Sequence, residues 1–273
     1  LRLQYKKENN PLHKSLKLFL NRTYGIMKDK NNALYDPLNA NKVCIYGQLL
    51  LLDLIERLEP YCQIIQSNTD GILIKLHKYE DYNIIDDICY EWEKRTYLKL
   101  EFEEFQKVYQ KDVNNYIIIP DGKPYDEKGN PRWKSKGGYV KKLTPLDYDL
   151  PIINKALVNY MIHSILPEQT INECNNLKEF QLVTKISNKY THILHGDKPI
   201  KERCIRVFAS KNNKDLGVKK VHAKTGRPAK LPNSPENCFI YNDNVNNVKV
   251  PEKLDKQWYL NLTKKRLIDF GVI

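Results

Sequence analysis

Three short stretches hold residues whose types and spacing could do chemistry together. In KLFLNRTYG (17 to 25), Lys17, Asn21 and Tyr24 stand at i, i+4 and i+7, so a helix would line up a cation, an amide and an aromatic ring on one face. Such a face could hold a phosphate, a sugar or base edge, and a base plane; it would equally suit a solvated surface with one half-buried tyrosine. In QSNTDGILIK (66 to 75), a turn between two Ile-rich runs would present Asp70 with little freedom, which suits a divalent cation holding phosphate oxygens. The same Asn-Thr-Asp-Gly is also an ordinary turn, in which Asn and Asp make local backbone bonds and Gly71 supplies a positive φ. In KSKGGYVKK (134 to 142), Lys134 and Lys136 alternate onto one face of a strand, with Tyr139 and the Tyr116 of VNNYI (113 to 117) nearby. That layout can follow a nucleic-acid backbone, or it can protect the edge of a sheet.

These residues need elements to hold them. Leu16, Phe19, Leu20 and Thr23 repeat at i, i+3, i+4 and i+7 and predict an amphipathic helix over 13 to 25 that Gly25 would end. NANKVCIYGQLLLLDLIERLEP (39 to 60) predicts a long apolar helix stopped by Pro60. YCQIIQS (61 to 67) and GILIKL (71 to 76) predict a hairpin, and residues 79 to 97 a helix with an acidic face. LKLEFEEFQKVYQ (98 to 110) alternates at period two, and residues 112 to 142 read as two strands joined through a PDG…EKGN turn region. TPLDYDLPIINKALVNYMIHSIL (144 to 166) is a turn and then a helix; beyond it the chain is basic, rich in Asn and Lys, and only weakly periodic. The Asn-rich stretch at 233 to 248 reads as a loop or an insertion, and the change of character places a boundary near 143.

Composition bounds the partners. With 273 residues and 41% apolar content the chain can bury a sizeable core in one or two domains. The formal charge of +12 is uneven: residues 1 to 30 carry eight cations and two acids, residues 31 to 110 eight cations and fourteen acids. Residues 181 to 230 carry thirteen cations against three acids, a local excess that attracts a polyanion, with nucleic acid the first choice and an anionic membrane surface the second. Six cysteines without a CxxC pair argue against a zinc ribbon or a disulfide scaffold and suit a reducing compartment. No apolar run reaches the roughly 18 to 20 residues of a membrane span, so no membrane partner is expected, and no signal peptide is visible. A first residue of Leu rather than Met suggests a segment of a longer protein.

Taken in order, the motifs resemble those of family B DNA polymerases. KLFLNRTYG is similar to that family's K-x3-N-S-x-Y-G at the end of the fingers, and about 45 residues later SNTDG (67 to 71) resembles its G-D-T-D-S palm hairpin. DVNNYI (112 to 117) stands where the family has its K-K-R-Y strand, and KSKGG (134 to 138) where it has K-x-K-G. The resemblance covers essentially the whole chain and is greatest to the polymerases of tailed bacteriophages. It implies an α+β fold: a polymerase palm with an antiparallel sheet and packed helices, preceded by a fingers helix and followed by a mainly helical thumb. The implied domains are the end of the fingers (1 to 25), the C-terminal part of the palm (26 to 142) and the thumb (143 to 273).

The resemblance also implies roles. Lys17 would neutralise the triphosphate of the incoming nucleotide and assist its leaving group, Asn21 would shape the nucleotide pocket, and Tyr24 would pack near the nascent base pair, with Arg2 and Lys6 as further phosphate contacts. Asp70 would be the catalytic metal ligand of a two-Mg2+ site completed by residues outside this chain. Tyr116, Lys134 and Lys136 would hold the primer-template DNA, and Lys185, Arg206, Lys211, Lys219 and Lys220 would contact its backbone from the thumb. The implied partners are primer-template DNA, dNTPs and the upstream part of the same polymerase, and the implied setting is the cytoplasm of a bacterial host, with a virus as the source. Departures are specific: Arg22 replaces the usual Ser, Asn68 replaces the first hairpin aspartate, and only the Tyr of K-K-R-Y is kept, behind Asn114 and Asn115. The family's D-x-x-S-L-Y-P strand is missing, so this segment alone is expected not to polymerise. A non-catalytic nucleic-acid-binding module and an inactive polymerase remnant are the alternatives.

Overall fold

A computed structural model describes all residues from 1 to 273 and divides the chain into two compact units, Leu1–Phe102 and Glu103–Ile273. With 36% helix and 25% strand the fold is of mixed α and β type. The boundary expected near 143 lies inside the second unit. No helix is long and apolar enough to cross a membrane.

The first unit runs α1 (Arg2–Lys7), α2 (Leu12–Ile26), α3 (Pro37–Leu58), β1 (Cys62–Ser67), β2 (Ile72–Leu76) and α4 (Asp81–Thr96). Asp36 starts α3 by accepting the Asn39 amide at 3.0 Å, with Pro37 in the first turn, where a missing N–H costs nothing. β1 and β2 form an antiparallel hairpin with one extra residue, Ile65, bulged out between Ile64 and Gln66. One face of the hairpin and the helices α3 and α4 enclose a core of Leu54, Leu58, Cys62, Ile85, Cys89 and Trp92, with the Trp92 indole donating to the Leu50 carbonyl at 3.1 Å. An ion pair from Arg95 to Asp53 ties α4 to α3 and, with Arg57, holds the Asp53 carboxyl below its ordinary pKa.

Three expectations change here. α2 continues through Gly25 to Ile26, and no residue of α1 or α2 is buried; Phe19 and Leu20, on the apolar face of the expected amphipathic helix, are 68% and 57% exposed. Gly71 does not adopt a positive φ, because the Asn68 amide closes the turn onto the Gly71 carbonyl at 2.8 Å without one. Residues 98 to 104 are not a strand: the Leu100 amide donates to Glu93 at 2.6 Å and Lys99 pairs with the same carboxylate, which ties the segment back to the end of α4.

In the second unit, β3 (Phe105–Asp112), β4 (Asn115–Pro120) and β5 (Lys134–Lys136) form an antiparallel sheet in that order. After α5 (Pro151–His163), α6 (Pro167–Glu173) and a 3-10 turn at Leu177–Phe180 come β6 (Leu182–Lys185), β7 (Tyr190–His195), β8 (Lys198–Ile200), β9 (Cys204–Ala209), β10 (Val218–His222), β11 (Pro228–Lys230) and β12 (Cys238–Ile240), then α7 (Lys256–Asp269). They make two further antiparallel sheets, β12-β9-β6 and β11-β10-β7-β8. The expected mainly helical part after 143 is therefore corrected: it carries seven strands beside three α-helices. The strands are three to six residues long, four of the seven carry lysine, and apart from the β7–β8 and β10–β11 hairpins they pair across long separations, which hides their period in the sequence. Their inner faces join α5 and α7 in one core that includes Ile153, Leu157, Phe180, Ile193, Phe208 and Tyr259. All six cysteines are free, and burial raises the Cys89 thiol to about 11 and the Cys238 thiol to about 12.

Candidate nucleotide and nucleic-acid sites

On α2, Lys17 and Asn21 are exposed and Tyr24 is half-buried, on the shared face their spacing predicts. Tyr24 is tied in place. Its hydroxyl lies 2.7 Å from the Cys44 sulfur on α3, and Lys28 places its ammonium 4.8 Å from the ring centre. The hydrogen bond with Tyr24 raises the pKa of Lys28, so the cation stays charged beside the ring. Lys28 is four residues from Tyr24 and was legible as a helical neighbour; Cys44, twenty residues away, was not. On α1, Arg2 is half-buried and Lys6 exposed in the last turn.

Asp70 sits at the tip of the β1–β2 hairpin, exposed, with no hydrogen bond or ion pair from the rest of the chain. Asn68 is half-buried, and its side-chain oxygen accepts the Thr69 amide at 2.9 Å. That bond shapes the turn. The tip therefore offers one carboxylate, which fits Mg2+ held by one or two carboxylates together with substrate phosphates. No group of three or more His, Cys, Asp or Glu side chains gathers elsewhere in the chain.

The β4–β5 register sets Tyr116 opposite Lys136 and Ile118 opposite Lys134, so Tyr116, Lys134 and Lys136 share one face of the sheet. The opposite face turns the fully buried Ile117 into the core. Lys136 lies 5.9 Å from the Tyr116 ring, and Lys134 pairs with Glu103 where both side chains are more than half exposed. An exposed pair of this kind is weak. The sheet depends on Gly137, whose φ is +96° and whose missing Cβ leaves room for the Asn114 carbonyl and the Asn115 side chain. The β3–β4 turn so accommodated is fixed by Asp112, which accepts from the Asn114 amide at 2.8 Å and from Asn115 and Lys111. Tyr139 is not beside these groups as a free ring: it packs on the core with the Arg266 guanidinium 4.0 Å over its face and Lys111 at 5.5 Å.

The more C-terminal cations divide by what they already hold. Lys185 and Lys211 are exposed and unpaired. Arg206 is half-buried and spends its guanidinium on the Asn242 and Asp243 carbonyls at 2.9 and 3.2 Å, while its amide donates to the Asn242 side chain. It clasps the Asn-rich stretch against β9. Lys219 and Lys220 are successive residues of β10 and therefore point to opposite faces, so a single flat surface cannot use both.

The chain matches no protein-family model and no curated protein.

Proposed function

We propose that this chain is the C-terminal part of a family B-like DNA polymerase, adding nucleotides to a primer 3′ end. The observation that carries the reading is Asp70 standing alone and uncompensated at the tip of a hairpin backed by two helices, in the unit whose α2 carries Lys17, Asn21 and Tyr24 along one face.

In this reading Lys17 neutralises the triphosphate, with Arg2 and Lys6 adding charge, Asn21 borders the sugar and Tyr24 borders the base. The primer hydroxyl gives up its proton to solvent and its oxygen forms a new bond to the α-phosphate as the bond to the β-phosphate oxygen breaks, and Lys17 offsets the charge that collects on departing pyrophosphate. Asp70 would hold Mg2+, which supplies charge neutralisation at the phosphates and lowers the pKa of the attacking hydroxyl. A second carboxylate must come from the upstream part of the same polymerase. The exposed apolar residues of α2 and α3 leave a surface for such a part. Tyr116, Lys134 and Lys136 grip the primer-template duplex independently of sequence.

The segment alone should bind duplex DNA weakly, with a salt-dependent affinity, and should not extend a primer. Fluorescence anisotropy tests this: Lys134→Gln with Lys136→Gln should lower affinity and reduce the slope of log K against log salt by about two. Unchanged binding would remove that face from the site. A second reading, a nucleic-acid-binding module or inactive remnant, is favoured by the thirteen cations against three acids in residues 181 to 230. It predicts the same duplex binding with no contribution from Asp70.

A further inference from the structure

The β10–β11 hairpin, VKKVHAKTGRPAK (218 to 230), holds five cations and no acid. Its register sets Lys219 directly across from Lys230, both exposed and on one face. Like charges in that position destabilise a sheet. Relief within the chain is slight: Glu236 lies 3.8 Å from Lys230 and is itself 91% exposed. On the opposite face of β10, Lys220 rests 4.3 Å from the Tyr190 ring, which packs perpendicular to the His222 ring.

The tip is closed rather than loose. The His222 amide donates to the Arg227 carbonyl at 3.0 Å, the Gly226 amide returns to the His222 carbonyl at 2.9 Å, and the His222 Nδ1 accepts the Lys224 and Thr225 amides at 3.3 Å. Gly226, at φ +65°, makes that turn possible. Lys224 and Arg227 are therefore held out on a fixed turn, and neither has an ion-pair partner.

Edge protection accounts for Pro228 and Lys230, since β11 is the outer strand of its sheet. It does not account for Lys219 on the inner strand or for the two cations at the tip. A membrane surface would call for apolar residues beside the charges, and the tip His-Ala-Lys-Thr-Gly-Arg supplies none of size. We infer that this hairpin is a sequence-independent contact for a nucleic-acid backbone, with Lys219 and Lys230 on one face and Lys224 and Arg227 at the tip receiving its phosphates. The inference rests on the reading of this chain as nucleic-acid-binding, and not on its polymerase chemistry.

The test pairs stability with binding in residues 1 to 273. Lys219→Gln removes the like-charge opposition, so it should raise the melting temperature at low salt while weakening binding to duplex DNA and lowering the salt slope by about one. Lys224→Gln with Arg227→Gln should leave melting unchanged and lower the slope by about two. If both variants bind as the unmodified protein does while the Lys134 and Lys136 variant is weakened, the hairpin assignment falls and the proposed function stands. A lower melting temperature for Lys219→Gln with unchanged affinity would make that lysine structural and would also overturn it. Absence of salt-dependent binding in the unmodified protein would overturn both, and binding to anionic vesicles but not to DNA would replace the assigned partner.

Discussion

Tyr259 of α7 is completely buried, and its hydroxyl does two jobs, donating to the Phe180 carbonyl at 2.9 Å and accepting the Ala209 amide at 3.1 Å. It joins the 3-10 turn, β9 and α7, three parts of the second unit that are distant in sequence. Burial pushes its pKa far up, so the hydroxyl remains a donor at any working pH. Tyr259→Phe should cost about 1–3 kcal/mol by stranding a buried amide and a buried carbonyl, measurable as a shift in the urea midpoint. At the surface of the same unit, Asp112 is held down to about 2 by Lys111, the Asn114 amide and Asn115, and Asp147 to about 2 by Lys141 and Thr144. A folded pKa below the ordinary carboxylate value of about 3.9 gives stability that is fully present above that value and is lost as pH falls toward 2. Asp112→Asn should therefore flatten the loss of stability between about pH 4 and 2 in chemical denaturation across that range. A variant that loses stability as steeply as the parent would show that the turn does not depend on that charge.

Among the elements, the β3–β4–β5 sheet is the clearest case of local chemistry serving a surface. Gly137 keeps β5 close to the β3–β4 turn; Gly137→Ala places a Cβ against Asn114 and Asn115 at a φ that L residues rarely adopt. The strain should cost about 1–3 kcal/mol and displace Lys136, lowering the melting temperature and the duplex affinity together. This surface was largely legible in the sequence, because Lys134, Lys136 and Gly137 are neighbours and a period of two fixes which of them share a face. The β1–β2 hairpin was legible for a similar reason, with two Ile-rich runs flanking a short polar turn. Pairings between distant residues were not. Nothing in Asn242 points to Arg206, nothing in Tyr139 points to Arg266, and strands such as CFI or PAK are too short to show a period. The exposure of Phe19 and Leu20 on α2 was not legible for a different reason: helical spacing predicts which residues share a face but not whether anything covers it.

For the molecule as a whole, the two units carry different unmet needs. The first leaves apolar surface uncovered: Leu38, Ile45, Leu49 and Leu52 of α3, spaced by seven, four and three, make one stripe that is 65%, 51%, 54% and 48% exposed. The other side of the same helix is buried through Ala40, Leu54 and Leu58. A helix apolar on both sides is built to be covered on both. Residues 1 to 273 should accordingly self-associate in sedimentation velocity, and Ile45→Lys with Leu49→Lys should return the protein to a monomer without unfolding it, because the core face is untouched. The second unit leaves positive charge uncompensated, which is the need a nucleic-acid backbone meets. Both needs are those of the proposed polymerase part, which would work beside a further protein part and on DNA. The most direct test of the proposed function is Mg2+-dependent primer extension by the full-length protein, compared with its Asp70→Ala variant. Extension by the parent and its loss in Asp70→Ala, with most duplex affinity retained, are expected; extension surviving in Asp70→Ala would show that Asp70 is not the metal ligand.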